Sequence, residues 1–260
     1  MSGGRRGRRP RGSGAPRAPG AELLTGLHPI AEALRARRRE LRELRVRAGG
    51  RDGASALVAA ARVAGVPVRE LSGAEAEALP SPGAVLEAGP LPELGLEELL
   101  LAPAREAPRT LVALDHVEDP QNLGAIARVA DSAGASGLVL THRRAPPLSP
   151  AVSRASAGAI EWIPVARVPN LSRALAVLRG EGFWVLGAEA DAAESLYEMP
   201  EKLAGADRVV VLGSEHEGIR PGVAGGIDRM LRIPLGGNVA SLNVSTAAAV
   251  VLFELRRRTG

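Results

Sequence analysis

The chain has 260 residues, 45% of them apolar, enough for one large or two small domains with a full core. Cysteine is absent, which excludes disulfides and thiolate metal sites, and His28, His116, His142 and His216 form no ligand-spaced cluster. The formal net charge is +4; no apolar run reaches membrane-spanning length and no signal-type apolar segment stands at the start, so the expectation is a cytoplasmic protein with no membrane partner and no metal.

The positive balance comes from the first twenty residues, where Arg5, Arg6, Arg8, Arg9, Arg11 and Arg17 stand with no acid. A Gly/Pro/Arg-rich stretch of this kind buries too little apolar surface to fold alone, so residues 1–20 read as a disordered tail, which suits either nonspecific contact with RNA phosphates or an inert extension. Residues 21–87 read as a small α/β unit: helix 28–38, strand 41–47, helix 54–64, strand 66–70, helix 73–79. Arg35, Arg37, Arg38, Arg39, Arg42, Arg45 and Arg47 crowd its first helix and strand. They suit either a solvated surface or an RNA-facing edge, with Arg35, Arg38 and Arg39 as RNA-binding candidates. Residues 88–107, rich in Pro, Glu and Leu, read as a linker with one helical turn.

From 108 to 260 strand and helix alternate, which predicts a largely parallel sheet covered on both faces. Leu111–Asp115 is an apolar strand, and Asp119-Pro120 is a turn. Asn122–Ala133 is a helix with Leu123, Ile126, Ala127 and Ala130 on one face, stopped by Gly134; Gly137–Thr141 is the next strand. Arg128 lies six residues beyond Asn122. That is not one face of a helix, so a ligand shared by the two needs Asn122 bent inward. Helix 170–179 is capped by Asn170 or Ser172 and closed by Gly180.

The segment 209–255 is the richest in signal. One strand ends in Gly213-Ser214-Glu215 and a second in Ile233-Pro234 with a glycine turn. Ser241-Leu242-Asn243 then opens a helix whose Val244, Ala247, Ala248, Val251, Leu252 and Leu255 keep the three–four spacing. Glycine turns and a polar helix start, all at strand ends, suit a small-molecule pocket, while Ser241-Leu242-Asn243 alone fits an ordinary capped helix after a hairpin equally well. No GxxxxGK[ST] phosphate loop and no Rossmann glycine fingerprint is present.

Taken together these segments resemble the SpoU (TrmH-type) family of RNA 2′-O-ribose methyltransferases, of the SPOUT class. The first motif matches Asn122, Leu123, Gly124 and Arg128 in DPQNLGAIARVADSAG. The second matches Gly213-Ser214-Glu215 with Gly218, and the third Ile233-Pro234 with Ser241-Leu242-Asn243, all in family order. LLTGLHPIAEALRARRRELRELRV and SRASAGAIEWIPVARVPNLSRALAVLRGEGFWVLG resemble the RlmB branch, bacterial 23S rRNA guanosine methyltransferases; Ser81-Pro82-Gly83 stands where those relatives carry His-Gln-Gly.

The resemblance implies an α/β-knot domain at 108–260, its C-terminal segment threaded into a trefoil knot, behind a ribosomal-protein-like RNA-binding domain. It also implies a homodimer, and S-adenosylmethionine (AdoMet) as methyl donor, held by backbone around Gly213, Ile233 and Leu242. On the same ground Arg128 stands nearest the ribose 2′-oxygen, where it binds a phosphate and stabilises alkoxide charge, because guanidinium is not a realistic base. Asn122 orients the ribose or Arg128, Glu215 fixes Arg128 or groups of the dimer partner, and Ser241 and Asn243 shape the pocket. A guanosine of 23S rRNA is the expected target. A tRNA or antibiotic-resistance rRNA target stays open, as does a non-catalytic RNA-binding assembly factor on the same fold.

Overall fold

The computed structural model describes residues 20–49, 53–81, 83–214 and 217–259. The Arg-rich segment 1–19, Pro82, Glu215 and His216 lie outside the described residues.

Seven elements build the first unit: β1 (Glu22–Thr25), α1 (Leu27–Ala36), β2 (Leu41–Arg47), α2 (Gly53–Ala64), β3 (Val68–Leu71), α3 (Gly73–Glu77) and β4 (Ala84–Ala88). They give a four-stranded sheet of order β1-β4-β2-β3, antiparallel except between β2 and β3. Two of its strands, β1 and β4, are not signalled by the sequence pattern; each is four or five residues long and depends on its partners, β1 pairing with β4 and β4 with both β1 and β2. Helix α1 buries Ile30, Ala33 and Leu34 against Leu24, Leu44, Leu57 and Leu86. It stops at Arg37, which takes a left-handed conformation with φ 51°.

The second unit runs α4 (Leu96–Leu101), β5 (Thr110–Leu114), α5 (Pro120–Ser132), β6 (Gly137–Thr141), α6 (Pro150–Ala155), β7 (Val165–Val168), α7 (Leu171–Gly180), β8 (Trp184–Ala188), β9 (Glu194–Ser195), α8 (Glu201–Ala204), β10 (Arg208–Leu212), α9 (Pro221–Ala224), β11 (Arg229–Arg232) and α10 (Val244–Arg257). Its seven strands pair in the order β7-β6-β5-β10-β8-β11-β9, and every pair is parallel. The central strands read as unbroken apolar runs because both faces are covered. Along β5, Val112 and Leu114 enter the core under α5 and α10, whereas Leu111 and Ala113 enter the core under α7. The segment before β5 is no free linker: Leu91 joins the first of these cores and Leu99 the second, and Leu94 bridges to Ala166 at the sheet edge.

Topology places the crevice. The chain steps outward from β5 to β6 and β7, crosses back through α7 to β8, and later slides β10 between β5 and β8. Strand order therefore reverses at β5/β10, and in open parallel sheets the ligand crevice lies outside the carboxyl ends at such a point.

The two units are locked by charge, and here the sequence reading needs correction. Arg39 is buried; its Nε and Nη2 each donate to the buried Glu161 carboxylate at 3.0 Å, and its Nη1 donates to Glu22 at 2.7 Å. Ser153 Oγ donates to the same Glu161 at 2.8 Å, and Arg38 donates to the Ile163 carbonyl at 2.8 Å. Arg38 and Arg39 are therefore spent between the domains rather than offered to RNA. Arg35 stays on the surface beside Glu32, while Arg42 meets Glu40 and Arg45 meets Glu43 and Glu87. The apparent basic edge is largely neutralised by acids the chain itself supplies.

Candidate functional site

Two cavities adjoin at the carboxyl ends of the central strands. The first, about 770 Å³ counting its open mouth, follows the ends of β8, β10 and β11 and the start of α10. Leu212, Leu231, Ile233, Leu235, Leu242 and Val244 give it apolar walls, and Gly213, Glu189 and Ser241 also line it. Its apolar walls with a few polar groups suit an organic ligand. Gly213 is required there by close approach: a Cβ on it would overlap the Gly218 backbone, which pairs with Ser214 through reciprocal 3.1 Å hydrogen bonds.

The second cavity is polar. His116, Glu118, Asp119, Asn122, Arg144 and Glu217 line it, and it shares Ser214 and Val244 with the first. Helix chemistry fixes its polar groups. Asp119 caps α5 by accepting from the Gln121 amide at 2.9 Å, with Pro120 in the first turn, which sets Asn122 at the helix entrance. Asn243 caps α10 by accepting from the Ser245 amide at 2.9 Å, and its Nδ2 donates to Asn122 Oδ1 at 3.1 Å. Residues 121 positions apart are thus tied at the junction of the two cavities.

Gly213, Ile233, Ser241 and Leu242 come together in the apolar cavity, and Asn122 and Asn243 meet at its polar neighbour. Glu215 lies outside the described residues. Arg128 does not join them: it is exposed on α5 and lines neither cavity. Six helical residues carry it about 9 Å along the axis and round to another face.

Sequence reasoning missed Glu189, His116 and Arg144, and gave Ser214 no role of its own within the second motif. Glu189 follows β8, and burial holds its carboxyl above the ordinary range against a lowering hydrogen bond from the Ile219 amide. Its one signal is position, directly after an apolar strand. Among the described residues no group of three His, Cys, Asp or Glu side chains could hold a metal ion.

Residues 109–253 match the model of the SpoU rRNA Methylase family, more than half of the sequence. The chain belongs to this family. Residues 23–82 match a second model, RNA 2′-O ribose methyltransferase substrate binding. The chain is similar to YacO of Bacillus subtilis (strain 168), assigned to the TrmH family of tRNA/rRNA methyltransferases, with 44% identity over 145 residues, 56% of this chain and 57% of that one. It thus spans under two thirds of the length of that relative. Among solved structures it resembles the AdoMet-bound rRNA methyltransferase from Sinorhizobium meliloti (26% identity, TM-score 0.73, covering 92% of this chain and 87% of that one). The SpoU methyltransferase AviRb from Streptomyces viridochromogenes in complex with AdoMet shares the SPOUT fold (23% identity, TM-score 0.76, covering 92% and 90%).

Proposed function

We propose that this protein is an AdoMet-dependent RNA methyltransferase that modifies a ribose 2′-hydroxyl, with a guanosine of 23S rRNA in the cytoplasm as target. The observation that carries the reading is the pairing of a glycine-floored apolar cavity with a polar one, joined at Ser214 and Val244 and pinned by the Asn243–Asn122 hydrogen bond. Family membership supports it, as does the AdoMet bound to the similar proteins from Sinorhizobium and Streptomyces.

The apolar cavity fits the donor. Leu235, Leu242 and Val244 offer an apolar slot for a purine, Gly213 lets backbone approach closely, and Glu189 gives a polar anchor. When bound, AdoMet supplies a methyl group on a sulfonium centre. The chain holds the acceptor beside it: the polar cavity takes the ribose, and the capped Asn122–Asn243 pair keeps that cavity in shape. With the donor bound, the 2′-oxygen would take the methyl as its bond to sulfur breaks, leaving a neutral thioether, and the hydroxyl proton would pass to solvent; the chain's part is positioning, which supplies much of the acceleration.

Arg128 completes the site from a second copy. Its guanidinium has no partner among the described residues, it lies outside both cavities, and α10, packed beside α5, leaves Phe253 half-exposed on a face open to a second copy. In a homodimer built on that face, Arg128 of one chain binds phosphate and stabilises developing alkoxide charge in the cavity of the other. The class fold further implies that the segment leading into α10 is threaded as a trefoil knot.

Calorimetry with AdoMet tests the donor site; an absence of binding heat supports the assembly-factor alternative. Mixing Arg128→Ala with Asn122→Ala chains tests the division of labour. Activity restored in the mixed dimer supports an Arg128 acting across it, and two inactive variants that stay inactive together place Arg128 with its own chain.

A further inference from the structure

A third cavity, about 920 Å³, opens beyond the polar one at the carboxyl ends of β6 and β7. It shares His116 and Arg144 with the polar cavity, so the three form one continuous groove across the sheet edge. Its charge is one-sided: Arg143, Arg144 and Arg220 line it, and no Asp or Glu does among the described residues. Arg220 is held by the fully buried Asp115, with Nη2 at 2.6 Å and Nε at 2.9 Å. Arg143 and Arg144 are exposed, and neither guanidinium has a partner among the described residues.

One further feature favours an anion. Asn170, Leu171 and Ser172 bring the amino end of the ten-residue helix α7 to the cavity wall, adding positive dipole potential. His116 and Arg144, the residues dividing this cavity from the polar one, are both held left-handed, at φ 60° and 58°. That conformation is costly for residues other than glycine, and here it is kept at a site boundary.

Charge also gives the groove a direction. The polar cavity carries Glu118, Asp119 and Glu217, which repel phosphate, whereas its shared wall with the third cavity carries Arg144. We infer that the third cavity binds the phosphate and sugar of the nucleotide adjoining the methylated one. This rests on the reading of the polar cavity as the ribose site.

The test uses the full-length protein, a fluorescently labelled mixed-sequence single-stranded RNA of roughly 20 nucleotides and anisotropy across a salt series. Each phosphate contact in a single strand contributes about 0.7 to the slope of log affinity against log salt. The Arg143→Ala/Arg144→Ala variant is expected to lose roughly 1.4 from that slope and to bind about tenfold more weakly at low salt. Lys202→Ala, a charge removal at the exposed α8 away from the groove, leaves the slope as it was. Arg144→Gly controls for folding: glycine tolerates φ 58°, so this variant keeps the wild-type melting temperature or exceeds it while losing RNA affinity. AdoMet calorimetry on the same variants separates the two readings, since donor binding can fail while the arginine cavity still binds RNA. A double variant whose slope and affinity match Lys202→Ala overturns the inference, as does wild-type protein with no affinity for the oligonucleotide at low salt.

Discussion

At the scale of single residues, the site depends on what Gly213 lacks. A methyl group there would overlap the Gly218 backbone, and backbone cannot swing aside as a long side chain can. Gly213→Ala is expected to cost about 1–3 kcal/mol of stability through overpacking. It should also weaken AdoMet binding by at least tenfold, because the paired Ser214 and Gly218 line the donor cavity and would be displaced; denaturant unfolding and calorimetry measure the two effects separately. Gly213, Ile233, Ser241 and Leu242, which share the apolar cavity, were picked out by the family resemblance, because strand-end glycines and Ser or Asn at a helix start serve equally as ordinary turns and caps. Glu189 and Arg144 were not, since a lone acid after a strand or one arginine among many carries no pattern.

At the scale of elements, α10 carries both ends of the account. Its start forms the Asn243 cap beside the cavities, and its end is anchored where Arg258 donates to the Met199 carbonyl at 2.7 Å and to Glu254 at 2.7 Å. Hydrogen bonds from Arg257 and Arg258 hold the Glu254 carboxyl down at about 2. Folding lowers this value, so the stabilisation is present above the unfolded value near 4.5 and is lost as pH falls towards about 2. Glu254→Gln should therefore melt below wild type at pH 7, and the difference should close between about pH 5 and 2 in thermal scans. A constant gap across that range would show that Glu254 acts by packing alone. Long periodic elements such as α5, α7 and α10 were readable from spacing. Strands β1, β4 and β9 were not, because two to five residues hold too little periodicity and exist only through their partners.

At the scale of the whole molecule, the arginines of α1 and β2 show where local reading stops. Seven arginines within thirteen residues look like an RNA edge, yet Arg39 finds Glu161, 122 residues away, and turns a candidate contact into an interdomain lock. Arg39→Ala leaves the Glu161 carboxylate buried without its main cation and should cost about 3–5 kcal/mol. The salt slope of RNA binding should stay unchanged, and anisotropy beside urea unfolding checks both. A reduced slope with intact stability would return Arg39 to the RNA surface. The central claim, that the joined cavities pass a methyl group to a ribose oxygen, has a direct chemical assay. Purified protein is incubated with unmodified 23S rRNA and AdoMet labelled on its methyl group, and the RNA is hydrolysed in alkali. A methylated 2′-oxygen blocks cleavage of the adjoining phosphodiester, so the label should emerge in alkali-resistant dinucleotides. Label recovered in mononucleotides would mean methylation of a base and would contradict the account.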